Sequence, residues 1–281
     1  DDELAARLDA VAALAAVGLD LVSDGDGAVA PNVEPAVVAG RWSAVAETSD
    51  AAVKQALVGP YSAGRRTGRD PAPLAESLRA TILALAAAGC PIVEIDEADA
   101  LAIAADDGER AAFVDAHRRL LDGVDGVHVT LALTGGNLDS AGPATFFDLP
   151  YASFAFDLIA GPDNWRLITQ APADRGIICG ALDPRRGSDD TRETLVWAAH
   201  YAASANGRGL ARVGLANASP LVSAAGLSRD AALAKLRIVA EATRIASVES
   251  ATEMAGLLDP RAVDARSAAL GRYEPGRRRR T

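Results

Sequence analysis

Apolar runs and polar stops alternate along the chain, with a spacing that switches between helix and strand. Glu3 to Val17 carries apolar residues at helical spacing and stops at Gly18, which predicts a helix with a glycine cap. Leu19 to Val22 is a short strand candidate that opens into Ser-Asp-Gly-Asp-Gly. A looser segment with two prolines gives way to helix near Val37. Val53 to Val58 predicts a second strand and leads into Gly59 to Pro71, a stretch rich in Gly, Arg and Pro that is expected to be a long loop. Leu74 to Ala88 predicts an alanine-rich helix, Ile92 to Ile95 a strand, Glu109 to Leu121 a helix, and Val127 to Leu133 a strand. Phe154 to Leu158 and Gly176 to Leu182 continue the series, with Trp165 on the segment between them. Thr191 to Ala205 reads as helix, Ala211 to Leu215 as a last strand, and Leu227 to Val248 as a long closing helix.

Strands alternating with helices predict a parallel sheet with right-handed crossovers. Seven such units behind an opening helix fit an α/β (β/α)8 barrel whose first strand is expected to lie upstream of Asp1. A doubly wound open sheet is the alternative, and the lack of an early glycine fingerprint of the dinucleotide or P-loop type weighs against it. No repeat and no linker divides the chain, so 1–281 reads as a single domain, with 274–281 expected to be a frayed basic tail. Two stretches stand out. Pro91 to Leu101 delivers Asp96 and Glu97 at the end of its strand, and Val127 to Asn137 delivers Thr134 and Asn137. An α/β barrel presents its chemistry at the carboxyl ends of its strands.

Composition narrows the function classes. The net charge of −10 argues against nucleic acid or an anionic membrane as the main partner. Two cysteines, Cys90 and Cys179, make no disulfide framework, so a reducing cytoplasm is expected. Aromatics are only 4% of the residues, so the core is expected to consist of Ala, Val, Leu and Ile. Cys179 lies inside an apolar run and reads as a packed thiol rather than a ligand. His117, His128 and His200 fall on a helix, a strand start and another helix, with no metal-ligand spacing among them.

Six segments, in order, resemble the carboxyl-terminal catalytic barrel of the cobalamin-independent methionine synthases, within the superfamily that also holds uroporphyrinogen decarboxylase. Gly-Leu-Asp-Leu-Val-Ser-Asp-Gly-Asp resembles the family's segment ending in Gly-Glu. Val-Gly-Pro-Tyr-Ser resembles its Gly-Pro-Val-Thr loop, and Pro91 to Leu101 resembles its Ile-Gln-Ile-Asp-Glu-Pro-Ala-Leu signature. Val129 to Asn137 resembles the strand bearing His-x-Cys-Arg-Gly-Asn. Gly180 to Asp183 resembles Gly-Val-Val-Asp, and Ala216 to Leu221 resembles Asn-Pro-Ser-Cys-Gly-Leu.

The resemblance implies a methyltransferase that moves a methyl group from a tetrahydrofolate-type donor to an amino-acid-like acceptor. Family members activate a thiol with zinc held by His, two Cys and Glu. Those positions fall here on Ala132, Thr134, Pro220 and Asp157, so the family zinc is expected to be absent. The acids that grip the substrate's amino group in the family fall on Asp26 and Asp96. Asp96, Asp157 and Arg185 are the catalytic candidates. The family's catalytic His falls on Arg185, a clamp for a carboxylate or phosphate rather than a general acid. Asp26, Asp96, Glu97, Thr134, Asn137, Asp183, Arg186, Asn217 and Ser219 are the candidate substrate-binding residues. Tyr61, Ser62 and Trp165 are the candidates for the folate-type donor. Arg65, Arg66 and Arg69 stand where a glutamate tail would pass, and Ala102 replaces a pterin-contacting acid. Each has a plainer reading: Asp24 and Asp26 in a glycine turn, Asp96 as a cap, the arginines in water.

Two other functions stay open. Arg185, Arg186 and Asp96 would also suit metal-free decarboxylase or lyase chemistry on a carboxylate substrate. The replaced zinc ligands also suit a non-catalytic binding or partner subunit, and the assembly expected is a homo-oligomer or a pairing with a partner subunit.

Overall fold

A computed structural model describes residues 2–25, 27–185, 187, 190–222, 226–259 and 261. Its strands are β1 (Leu21–Ser23), β2 (Ala52–Val58), β3 (Ile92–Asp96), β4 (His128–Leu133), β5 (Ser153–Asp157), β6 (Gly176–Leu182) and β7 (Val213–Asn217). All neighbours are parallel and lie side by side in chain order, so the sheet curls into a TIM-barrel-like half-barrel. Helices α1 (Asp2–Ala16), α2 (Pro35–Ala46), α3 (Pro60–Thr67), α4 (Pro71–Ala87) and α5 (Asp107–Leu121) cover the first half. The second half carries α6 (Ala144–Phe147), α7 (Asn164–Gln170), α8 (Arg192–Ser204), α9 (Arg229–Ala246) and α10 (Ala251–Leu257).

Strand alternation sorts the residues onto two faces. Val93, Ile95, Leu131, Leu133, Phe154 and Phe156 turn outward against the helices and are essentially fully buried. Each contributes roughly 1.5–3 kcal/mol of hydrophobic stabilisation. The core was expected to consist of Ala, Val, Leu and Ile, yet the few aromatics form part of it. Phe113, Phe146, Phe147, Tyr151, Phe154 and Phe156 gather where α5 and α6 pack on β4 and β5. Side-chain caps start the covering helices: Asp70 accepts from the Ala72 amide, Asp106 from Glu109 and Thr191 from Thr194.

Among the described residues β1 and β7 do not pair. The helical layer nevertheless meets across that edge, where Arg229 of α9 donates to the Asp9 carbonyl of α1 at 3.0 Å. Asp24, just after β1, is fully buried and accepts from Arg7 of α1 at 3.2 Å. The glycine turn is thus anchored on α1, and a Cβ on Gly25 (φ +82°) would lie 2.8 Å from the Arg7 carbonyl.

The expected loop from Gly59 to Pro71 is instead mostly helix, α3. Pro60 stands at its first position and Gly68 (φ 67°) ends it in the left-handed conformation. Its N-terminus is capped by Glu97, the residue just after β3. The last strand begins two residues later than the pattern predicts, because Leu210–Arg212 is a 3-10 turn. Asp26, Arg186 and the tail 274–281 lie outside the described residues.

Candidate functional site

The concave wall of the half-barrel is set by the alternate residues of each strand, and its middle is charged. Lys54 of β2 and Glu94 of β3 form an ion pair across the two strands. Thr130 Oγ1 and Ser153 Oγ, 2.8 Å apart, lie on the same face, and His128 Nε2 sits 2.7 Å from that Ser153 oxygen near the bottom. Asp96 ends β3 on the Glu94 side of the strand. Its register partner on β4 is Ala132, which offers no hydrogen-bonding side chain.

Asp96 is a part-buried acid. Its side chain takes part in no hydrogen bond or ion pair among the described residues. Burial pushes its carboxyl up to about 6, and the nearby charges of Glu94 and Glu97 add to the rise. Arg66 and Lys54 oppose it. A partly dehydrated acid at the carboxyl end of a barrel strand is a candidate ligand position by chemistry as well as by place. Thr134, half-buried, follows the end of β4 on the same face.

Most other candidate residues are engaged in building the rim. Glu97 was expected to touch substrate, and the structure corrects this. It is fully buried behind the wall, where its carboxylate accepts from the Tyr61 amide (2.9 Å), the Ser62 amide (2.7 Å) and the Ser62 hydroxyl (2.5 Å). Tyr61 and Ser62 are correspondingly buried rather than open to a donor molecule. The Tyr61 hydroxyl donates to Glu109 at 2.6 Å, and its phenol is raised by burial and then by that acid. Behind Glu97, His117 and Tyr151 are fully buried, with His117 Nδ1 2.5 Å from the Tyr151 hydroxyl. His117 Nε2 lies 3.0 Å from Glu97 Oε1 but is poorly aligned for a hydrogen bond.

Asp157 is 3% exposed and accepts from three backbone amides, Gly135 (3.2 Å), Ile159 (2.9 Å) and Ala160 (2.8 Å). Those bonds fold the loop after β5 and tie it to the loop after β4. Asn137 is exposed and pairs with Asp163, donating at 2.9 Å and accepting at 2.8 Å. Asn217 donates to the Ser219 carbonyl at 2.9 Å, closing a local turn. Arg185 folds back onto Asp183 instead of pointing into the mouth, and its guanidinium holds that carboxyl below its usual range. Trp165 also departs from expectation. It packs edge-on against Trp197 and Tyr201 of α8, in the helical layer, and not on a surface where a flat ring would stack.

Arg65 and Arg66 pair with Glu109 and Asp99 on the surface of the same corner. Cys90 and Cys179 are buried, and burial pushes their thiols up to about 11 and about 12.

Sequence reasoning missed Asn164 and the Lys54–Glu94 pair. Asn164 is fully buried at the start of α7, donates to the Gly136 and Asp157 carbonyls and accepts from the Leu138 amide. It locks the β4 and β5 loops together. A Cβ on Gly161 would lie 2.3 Å from its amide nitrogen, so that contact requires glycine.

The chain has the same overall fold as several solved enzymes. A B12-independent methionine synthase from a Shewanella species, solved with selenomethionine, superposes with a TM-score of 0.70 at 14% identity, covering 86% of this chain and 87% of that one. A protein described as a vitamin-B12-independent methionine synthase from Listeria monocytogenes gives 0.65 at 16% identity, over 88% and 87%. The fold is that of the cobalamin-independent methionine synthases. A methyltransferase from Methanosarcina mazei follows at 0.53 and 13% identity, over 74% and 63%. No model of a known protein family and no curated protein matches the sequence.

The zinc of the methionine synthases can be tested against the residues present. Ala132 and Pro220 have no donor atom, Thr134 is a weak one, and Asp157 has its carboxylate committed to three amides. These four positions do not fit a zinc ion. Among the described residues no group of three or more His, Cys, Asp or Glu is arranged to hold a metal, and no helix is long and apolar enough to cross a membrane.

Proposed function

We propose that the chain is a methyltransferase-like enzyme that transfers a one-carbon group between a folate-type donor and a small amino-acid-like acceptor, without the zinc of the methionine synthases. The observation that carries this reading is Asp96. It is a partly buried carboxylate with no protein partner, at the carboxyl end of a barrel strand, above an ion pair that is already satisfied. An ammonium group brought there by a ligand would complete it with charge-assisted hydrogen bonds. Thr134, after the end of β4, is the polar group that would orient the rest of the acceptor. Catalysis would then rest on position and fixed charge, since the acceptor would not be a thiol that needs a metal.

A second reading, a binding subunit without turnover, draws on Asp157. The residue best placed to act as base accepts three amide bonds that the loops depend on.

Calorimetric titration of the full chain with methyltetrahydrofolate and with L-methionine, each with and without zinc, tests the proposal. Binding of both without zinc, with methionine affinity reduced at least about tenfold by Asp96→Asn, is the expected result. Binding that requires zinc would overturn the metal-free mechanism. Binding of neither would remove the transferase reading and leave the binding subunit.

A further inference from the structure

Lys54 and Glu94 take no part in the reading above, yet they occupy a place where barrels ordinarily carry packed Val, Ile and Leu. Their side chains are 24% and 19% exposed, so both charges are largely withdrawn from water and each is the other's partner. Glu94 lies two residues before Asp96 on β3, on the same face and about 7 Å along the strand. The register sets Gln55 against Val93, so Lys54 starts one step lower, beside Ile92, and reaches up to Glu94. With the pair formed, the three side chains together carry one negative charge, and it resides on Asp96.

The charged groups facing Asp96 are few. Glu94 and Glu97 belong to the same strand and its end, Lys54 comes from β2 and Arg66 from α3. The nearest concave-face residues of β4, Thr130 and Ala132, are uncharged. Breaking the pair on either side would therefore leave an uncompensated charge beside Asp96.

We propose that Lys54 is a positioning residue for the ligand site: by holding Glu94 in an ion pair it leaves Asp96 as the net charge of this part of the barrel wall among the described residues, and the site selects a group bearing a single positive charge, an ammonium. The selection rests on the amine-binding role given to Asp96 under the proposed function.

The test follows the Asp96 carboxyl by carbon-13 NMR across pH in the full chain, with Asp96→Asn supplying the assignment. Lys54→Met should raise the Asp96 midpoint by about one pH unit, and Glu94→Gln should lower it by about as much. The double variant, which removes both charges, should return to within a few tenths of a unit of the wild type. Midpoints that stay together in all four proteins, or a double variant as displaced as a single one, would overturn the charge-balancing role. Should Lys54→Met fail to fold, Glu94→Gln and the double variant still decide it.

Methylammonium and butane-1,4-diammonium, added at pH 7, then test the selection through their effect on the same resonance. The wild type should prefer the monocation, and Lys54→Met should shift the preference toward the dication by about tenfold. An unchanged preference would overturn the role of Lys54 while leaving amine binding at Asp96 intact. If neither amine perturbs Asp96 although the midpoints move as expected, the amine-binding reading of the site fails and takes the selection with it.

Discussion

The carboxylate of Glu97 and the backbone amide of Ser62 meet at 2.7 Å, and that contact starts helix α3. The first amides of a helix have no intrahelical acceptor, and a buried acid at that end satisfies two of them while complementing the helix dipole. Glu97→Ala would leave the Tyr61 and Ser62 amides and the Ser62 hydroxyl without their acceptor. A loss of about 3 kcal/mol or more in unfolding free energy is expected, measured by urea denaturation. Gly59→Ala should be similarly harmful, because its Cβ would lie 2.2 Å from the Glu97 carboxyl. A Glu97→Ala protein as stable as the wild type would mean that α3 forms without this cap.

Asn164 supports a second prediction. Asn164→Ala removes two donors and one acceptor from a fully buried position and exposes three backbone groups to a site that water does not reach. The expected cost is roughly 2–4 kcal/mol. Hydrogen exchange should localise it: the Leu138 amide should lose protection well before the strands do. Uniform loss of protection would instead mean that Asn164 stabilises the whole fold and not the two loops.

Arg185 separates two chemistries that the sequence left open. Its guanidinium is engaged with the Asp183 carboxylate and is 77% exposed, so Arg185→Ala should leave the unfolding midpoint essentially unchanged. Binding of simple dicarboxylates should be unchanged, as read by calorimetry. Loss of such binding would show that the arginine leaves Asp183 to receive a carboxylate ligand, and would revive the lyase alternative.

The strands were legible because each is an apolar run that ends in turn or charged residues, and β6 occupies the very span, Gly176–Leu182, that its pattern predicts. Helix α3 was not legible, since its cap comes from Glu97, just after β3, and no local pattern records that. Asn164 gave no signal either, being one polar residue in a short helix. Lys54 and Glu94 did leave one. A charged residue in the middle of an apolar strand must find a partner across the sheet, and each of two neighbouring strands carries one. The sequence resemblance located Asp96 correctly at a strand end, but it could not reveal that Glu97 and Asp157 are occupied by backbone amides.

The last prediction concerns stability and pH at Asp96. Its folded carboxyl is raised to about 6 from an ordinary value of 3.8, so between those values the folded state binds more protons than the unfolded one. Stability therefore falls as pH rises through this window, the reverse of an acid held in a salt bridge. At pH 7 the ionised, partnerless carboxylate costs on the order of 3 kcal/mol. Asp96→Asn should accordingly raise the melting temperature at pH 7, and the gain should vanish below about pH 4, where the wild-type acid is protonated in both states. A site whose key residue destabilises the empty protein is what ligand binding predicts, because a bound cation would recover that energy. The wild type should then gain more thermal stability from methylammonium at pH 7 than at pH 5, and Asp96→Asn should gain none at either. Equal melting temperatures for wild type and Asp96→Asn across this range would show that Asp96 is not held at a cost, and would remove the physical ground for placing a ligand there.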